Sequence, residues 1–176
     1  SLLLQAKTGD IQIVQLLLEH GANPTASSEI YSFINNPDIA RLLHKYGAKA
    51  SPKHLDKVSF HAVKELKNSE LLEAFISFGA PLNWNIILEY SLGSSDENLK
   101  MTKLIIEHRP DFLNKPFQSG DTPLTKAVSY RMTKCVSLLL ELGADPNTCD
   151  KSNISPLIHA SRLKKVKKWQ KPGEII

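Results

Sequence analysis

Residues 120–147 read Gly120-Asp121-Thr122-Pro123-Leu124-Thr125-Lys126-Ala127-Val128-Ser129-Tyr130-Arg131-Met132-Thr133-Lys134-Cys135-Val136-Ser137-Leu138-Leu139-Leu140-Glu141-Leu142-Gly143-Ala144-Asp145-Pro146-Asn147. Thr122 is suited to cap a helix, because its hydroxyl can accept from a first-turn N–H that has no partner. Pro123 at the first helical position lacks a donor that would be unpaired there anyway. Leu124, Ala127 and Val128 give this first helix a narrow apolar face. A second helix carries Cys135, Val136, Leu138, Leu139 and Leu140, and Gly143 ends it in the left-handed conformation that glycine tolerates. Neither helix can bury its stripe alone, so the pair requires neighbours.

The neighbours are in the chain. Ser155-Pro156-Leu157 repeats Thr122-Pro123-Leu124 at a distance of 33 residues. That period, joined to a T-P-L-x-x-A start and an L-L-L-x-x-G-A-D-x-N ending, resembles the ankyrin-repeat family. The resemblance implies an all-α solenoid of stacked helix-turn-helix units joined by β-hairpins, and a role in binding other proteins. It also implies that such arrays often adjoin a catalytic or adaptor domain, in eukaryotic proteins and in effectors that intracellular bacteria deliver into host cells.

The endings set the register. Besides Gly143 they fall at Gly21, Gly47, Gly79 and Arg109, with spacings of 26, 32, 30 and 34 residues. We expect repeats over about 1–25, 26–48, 49–82, 83–115 and 116–148, then a partial or capping unit over 149–171. The uneven spacings predict short or missing hairpins at some junctions. Only 49–57, 110–121 and 144–154 leave room for a full one, which points binding toward the C-terminal half.

In the first repeat, Leu2, Leu3 and Ala6 read as the end of a first helix. A terminal repeat needs a polar outer face, so these residues predict a preceding repeat or domain; the alternative is an end that buries them itself. In the second, only about seven residues separate Gly21 from the next helix, and Asn36-Pro37-Asp38 then begins the second helix of the unit. In the third, Val58-Ser59-Phe60-His61 stands at the family's T-P-L-H start, and Asn68 or Ser69 caps the next helix. In the fourth, Gly93 to Glu97 reads as a lengthened loop, and Pro110 stops the helix where Arg109 replaces glycine.

With 41% hydrophobic residues, the chain can build such a core. It has no apolar run near the ~18 residues of a membrane span. Cys135 and Cys149 lack metal-ligand spacing and read as free thiols of a reducing cytosol. The net charge of +4 is concentrated at one end: six of the 22 basic residues lie between Arg162 and Lys171. Without residues 162–176 the chain carries 16 basic and 17 acidic groups.

That segment, with Trp169 among its lysines, admits three readings. It is the polar outer helix of a capping repeat, a docking element for acidic protein, anionic lipid or nucleic acid, or a nuclear-import signal. Docking to nucleic acid or lipid is not the favoured one.

Catalytic signatures do not emerge. His20, His44, His54, His61, His108 and His159 form no H-E-x-x-H or paired-cysteine pattern, so no metal or cofactor is expected. His20 and His108 share one slot near a helix C-terminus, where an imidazole suits the helix dipole. His61 is expected to bond backbone at a helix start. No G-x-S-x-G, P-loop or G-x-G-x-x-G occurs, and Asp96 with Lys100 is what a solvated helix face provides.

The expected activity is therefore non-catalytic protein binding. By register, Ser129 and Tyr130 end a first helix on the concave side. Gln118, Ser119 and Asp121 lie on the adjoining hairpin, Lys151 and Ser152 on the next, and Arg162 on the next first helix. Tyr130 is either an amphipathic anchor for a partner or a ring packed between repeats, and Trp84 reads as core. The alternatives are a basic-tail module with the repeats as spacer, and the regulatory piece of an enzyme. The cytoplasm is the expected compartment, with the nucleus, or the host cytosol for a delivered effector, as alternatives.

Overall fold

The computed structural model describes residues 10–25, 34–49, 52–80 and 82–163. Its helices are α1 (Ile11–Glu19), α2 (Pro37–Lys45), α3 (Pro52–His61), α4 (Ser69–Ser77), α5 (Trp84–Ser91), α6 (Asp96–His108), α7 (Pro123–Ser129), α8 (Thr133–Glu141) and α9 (Pro156–Arg162). A π turn at Ala62–Leu66 prolongs α3, and a 3-10 turn at Pro110–Phe112 follows α6. No strand occurs among the described residues. The readings placed on residues 1–9 and on 164–176, and part of the lead-in to α2, lie outside them.

Two layers result. Helix α3 packs on α5, and α9 on α7, in the layer of first helices. In the layer of second helices, α1 packs on α2, α2 on α4, α4 on α6 and α6 on α8. The core lies between the layers. Val14, Leu43, Leu71, Phe75, Met101, Ile105, Cys135 and Leu139 enter it from the second helices, and Ala62, Ile87, Leu88 and Ala127 from the first.

The sequence-encoded caps form. Asn36 caps α2, Asn68 caps α4 and Ser155 caps α9. At α7 the cap is reciprocal: Thr122 Oγ1 accepts from the Thr125 N–H at 3.1 Å, while Thr125 Oγ1 accepts from the Thr122 N–H at 2.8 Å. Gly143 sits at φ +93° and lets Ala144 N–H reach back to Leu139 O at 2.9 Å. The same wrap ends α1, α2 and α4. Helix α6 stops differently, at Arg109 with Pro110 opening the 3-10 turn.

Four expectations are corrected. Residues 49–57 hold no hairpin, because α3 begins at Pro52. His61 consequently stands at the end of α3 and is exposed, not at a helix start. The residues added between Gly93 and Glu97 mostly lengthen α6 to 13 residues, with Ser95 as its cap. Leu140 is 44% exposed and not part of the core.

Candidate functional site

Along the first-helix layer runs a groove in two lobes that share Glu89 and Tyr90. The larger, about 410 Å³, is lined by Lys57, Phe60, Asn83, Ile86, Ile87, Glu89, Tyr90 and Gln118. The smaller, about 280 Å³, is lined by Glu89, Tyr90, Leu92, Lys126, Tyr130 and Met132. Helices α3, α5 and α7 supply most of these residues, because each first helix presents its last turns to this side.

The walls are aromatic. Phe60 meets Tyr90 edge-on, with ring centroids 5.0 Å apart at 84°. Tyr90 is 45% and Tyr130 67% exposed. Such rings supply apolar area with a polar tip, and they lose little side-chain entropy when a partner covers them. Lys64 Nζ lies 5.4 Å from the Phe60 centroid and 5.6 Å from that of Tyr90. On the floor, Lys126 Nζ donates to Glu89 Oε1, tying α7 to α5, and the ammonium also lies 5.6 Å from the Phe117 ring.

Beside the groove are two equivalent turns, 33 residues apart. Phe117 N–H donates to Asp121 O at 2.8 Å, and Asp150 N–H to Ile154 O at 3.1 Å. Lys151 N–H donates to Gly120 O at 2.9 Å and joins one turn to the next. Each turn is closed by a second backbone bond, Gly120 N–H to Phe117 O at 2.9 Å and Asn153 N–H to Asp150 O at 3.0 Å.

The expected site residues separate accordingly. Gln118 and Tyr130 line the groove. Ser119, Lys151 and Ser152 are exposed on the turns, and Arg162 is exposed at the end of α9. Asp121 is half-buried, accepting from Ser119 Oγ at 3.1 Å. Ser129 is also half-buried, its Oγ 3.0 Å from His159 Nδ1, while His159 Nε2 lies 2.8 Å from Asp150 Oδ2. Asp150 Oδ1 accepts from the N–H groups of Ile154 and Ser152. The Ile154 N–H first, and then His159, hold the Asp150 carboxyl below the usual range. Asp121, Asp150 and His159 bring potential ligand atoms within 4.8 Å of one another. Of the hydrogen bonds these side chains make, the one between His159 and Ser129 ties α9 to α7.

Phe60, Ile86, Glu89, Tyr90 and Met132 escaped sequence reasoning. The available signal was Tyr90 in the last turn of its first helix, the counterpart of Ser129-Tyr130. The histidine device holds: His20 Nδ1 lies 2.8 Å from Leu16 O, and His108 Nδ1 2.9 Å from Leu104 O. Trp84 is half-buried against the core. Asp96 does not meet Lys100; Lys100 pairs with Glu97 at 2.9 Å and Asp96 with Lys134 at 3.4 Å. No described helix is long and apolar enough to cross a membrane.

A solenoid of capped helix pairs with a groove along its first helices defines a helical repeat protein. The chain belongs to the ankyrin-repeat family. The family model described as ankyrin repeats in three copies matches residues 59–150 and 91–168, and that for a single ankyrin repeat matches residues 1–29. Among solved structures, the chain is similar to the ankyrin repeat domain of Bcl-3, described as a unique member of the IkappaB protein family. The TM-score is 0.65 at 22% identity, over 91% of this chain and 78% of that one. At that identity the likeness speaks for the fold. Among curated proteins, the chain is 29% identical over 191 residues to an L-asparaginase from Dirofilaria immitis. The match covers 94% of this chain and 31% of that protein, so the chain spans under a third of this relative's length. Ankyrin repeats are generally protein-interaction modules and generally non-catalytic.

Proposed function

We propose that this chain is a non-catalytic protein-binding module that takes a partner on the groove and turns of its third to fifth repeats. Gln118 and Tyr130 lie inside the contact and Ser119, Asp121, Lys151 and Ser152 at its rim. Arg162 and the half-buried Ser129 lie at its C-terminal border. The observation that carries the reading is the pair of half-exposed tyrosines, Tyr90 and Tyr130, on one lobe of the groove. Preformed helices present them, so a partner meets a rigid surface and association costs little ordering entropy. Two unpaired cysteines favour the cytosol as its compartment.

The test is affinity capture from cytosolic lysate, comparing the intact chain, Tyr90→Ala with Tyr130→Ala, and a truncation after Ser161. Circular dichroism verifies that each form folds. A protein held by the intact chain and lost with the tyrosine variant supports the reading. Loss only on truncation, with steep salt dependence, favours the basic segment and counts against the groove.

The similarity to part of a longer protein named L-asparaginase favours a second reading, in which the module acts in cis beside a catalytic portion and regulates it. This predicts that the chain alone releases no ammonia from asparagine. Activity in the isolated chain would overturn both readings.

A further inference from the structure

The groove is aromatic along its length, but its charge is lopsided. Lys57 lines the larger lobe, is exposed, and has no ion-pair partner among the described residues. Lys64 stands over the Phe60–Tyr90 pair, and its carboxylate neighbour is Glu65, 3.6 Å away, with both side chains about half exposed. A pair that open to solvent is weak. Further along, Lys126 and Glu89 neutralise each other, each with about a fifth of its side chain exposed. The larger lobe therefore offers a ligand the ammonium of Lys57 on its lining, with the weakly paired Lys64 beside its aromatic wall.

Resting on the protein-binding reading, we infer that the partner segment seated here is acidic and apolar in alternation: a carboxylate set between Lys57 and Lys64, with an adjoining leucine-sized or aromatic side chain against Ile86, Tyr90 and Phe60. Charge complementarity chooses the carboxylate, since a neutral segment would leave both ammonium groups facing apolar surface, and a basic one would be repelled. The wall chooses the apolar neighbour. Tyr90 and Phe60 are fixed by their edge-on contact, and covering them removes a half-exposed ring from water. The volume of about 410 Å³ accommodates several side chains and suits a short stretch of polypeptide. Two lysines, one of them already paired with Glu65, are too few to track a nucleic-acid backbone, whose recognition multiplies phosphate contacts.

The experiment is selection of a phage-displayed library of random dodecapeptides on the intact chain. The enriched sequences are then synthesised with a fluorescent label and titrated by anisotropy. The comparison proteins are Lys57→Glu with Lys64→Glu, and Tyr90→Ala, each verified as folded by circular dichroism. We expect enriched peptides that place aspartate or glutamate next to leucine or an aromatic residue. Their affinity is expected to fall about tenfold or more with the charge reversal, and by a similar factor with Tyr90→Ala.

Enrichment of neutral or basic peptides that still depend on Tyr90 would overturn the acidic chemistry while leaving the protein-binding reading standing. Peptides indifferent to every variant, or none enriched over the bare support, would overturn the groove itself and count against both. Displacement by an oligothymidylate competitor at physiological salt would overturn the choice of a polypeptide.

Discussion

Replacing Lys126 with methionine tests whether the groove floor holds the repeats together. Lys126 and Glu89 pair across α7 and α5 with side-chain exposures of 19% and 21%. At an effective dielectric near 20 and a separation of about 4 Å, the gross attraction is about 4 kcal/mol. Desolvating two ions to this degree offsets much of it, and pairs on open surface retain only about 0–1 kcal/mol. Being four-fifths covered but not sealed, this pair has an expected net coupling of about 1–2 kcal/mol. Lys126→Met alone is worse than the coupling suggests, because it strands Glu89 against Tyr90 and Leu92 with no cation. We expect a loss of about 2 kcal/mol, or about 4–8 °C in Tm for a chain of this size. The assay is urea unfolding followed by circular dichroism for Lys126→Met, Glu89→Gln and the double variant, with the coupling taken from the cycle. The double variant is expected to be more stable than the sum of the single losses implies. Additivity within about 0.3 kcal/mol would refute the reasoning and reduce the contact to a surface pair.

Thr122→Ala removes the side-chain acceptor of a buried capping box and leaves Thr125 N–H unpaired, while the bond from the residue 122 N–H to Thr125 Oγ1 is kept; a loss of about 1–2 kcal/mol is expected in the same urea assay. Asp145, Asp150, Asp111 and Glu97 all have carboxyls held below their usual range by hydrogen bonds. Below its unfolded-state pKa each such group binds fewer protons folded than unfolded. Their stabilisation is thus complete above about pH 5 and is lost as pH falls through the depressed folded values. Thermal melts between pH 7 and pH 3 are expected to be level at first and then to decline steeply below about pH 4; a level profile down to pH 3 would count against these bonds. Burial pushes the Cys135 thiol up, whereas Cys149 is part-exposed in a turn. Ellman's reagent at neutral pH is expected to titrate one thiol quickly and the second only on unfolding. Rapid reaction of both would place Cys135 outside the core.

Much of this molecule was legible because its folding information is local and repeated. A capping hydroxyl, a proline with no donor to waste, a leucine stripe and a glycine at positive φ each act within one helix. Thr122-Pro123, Ser155-Pro156, Asn36-Pro37 and Gly143 could therefore be read in isolation, and the 33-residue recurrence supplied the stacking. Pro52 opens α3 with the same first-turn proline. The partner surface is different in kind. Phe60, Tyr90 and Tyr130 lie on three successive first helices, and what aligns them is the rotation and offset of one repeat on the next. The same is true of Lys126 with Glu89, and of Ser129, His159 and Asp150. Side chains 30 or more residues apart acquire a shared site only when the interfaces between repeats are packed. The sequence alone determined that helix pairs would form, where most of them end, and that they must stack. Only the tertiary structure decided which residues meet across the stack, because that depends on the shape of the packed core and not on any pattern within one repeat.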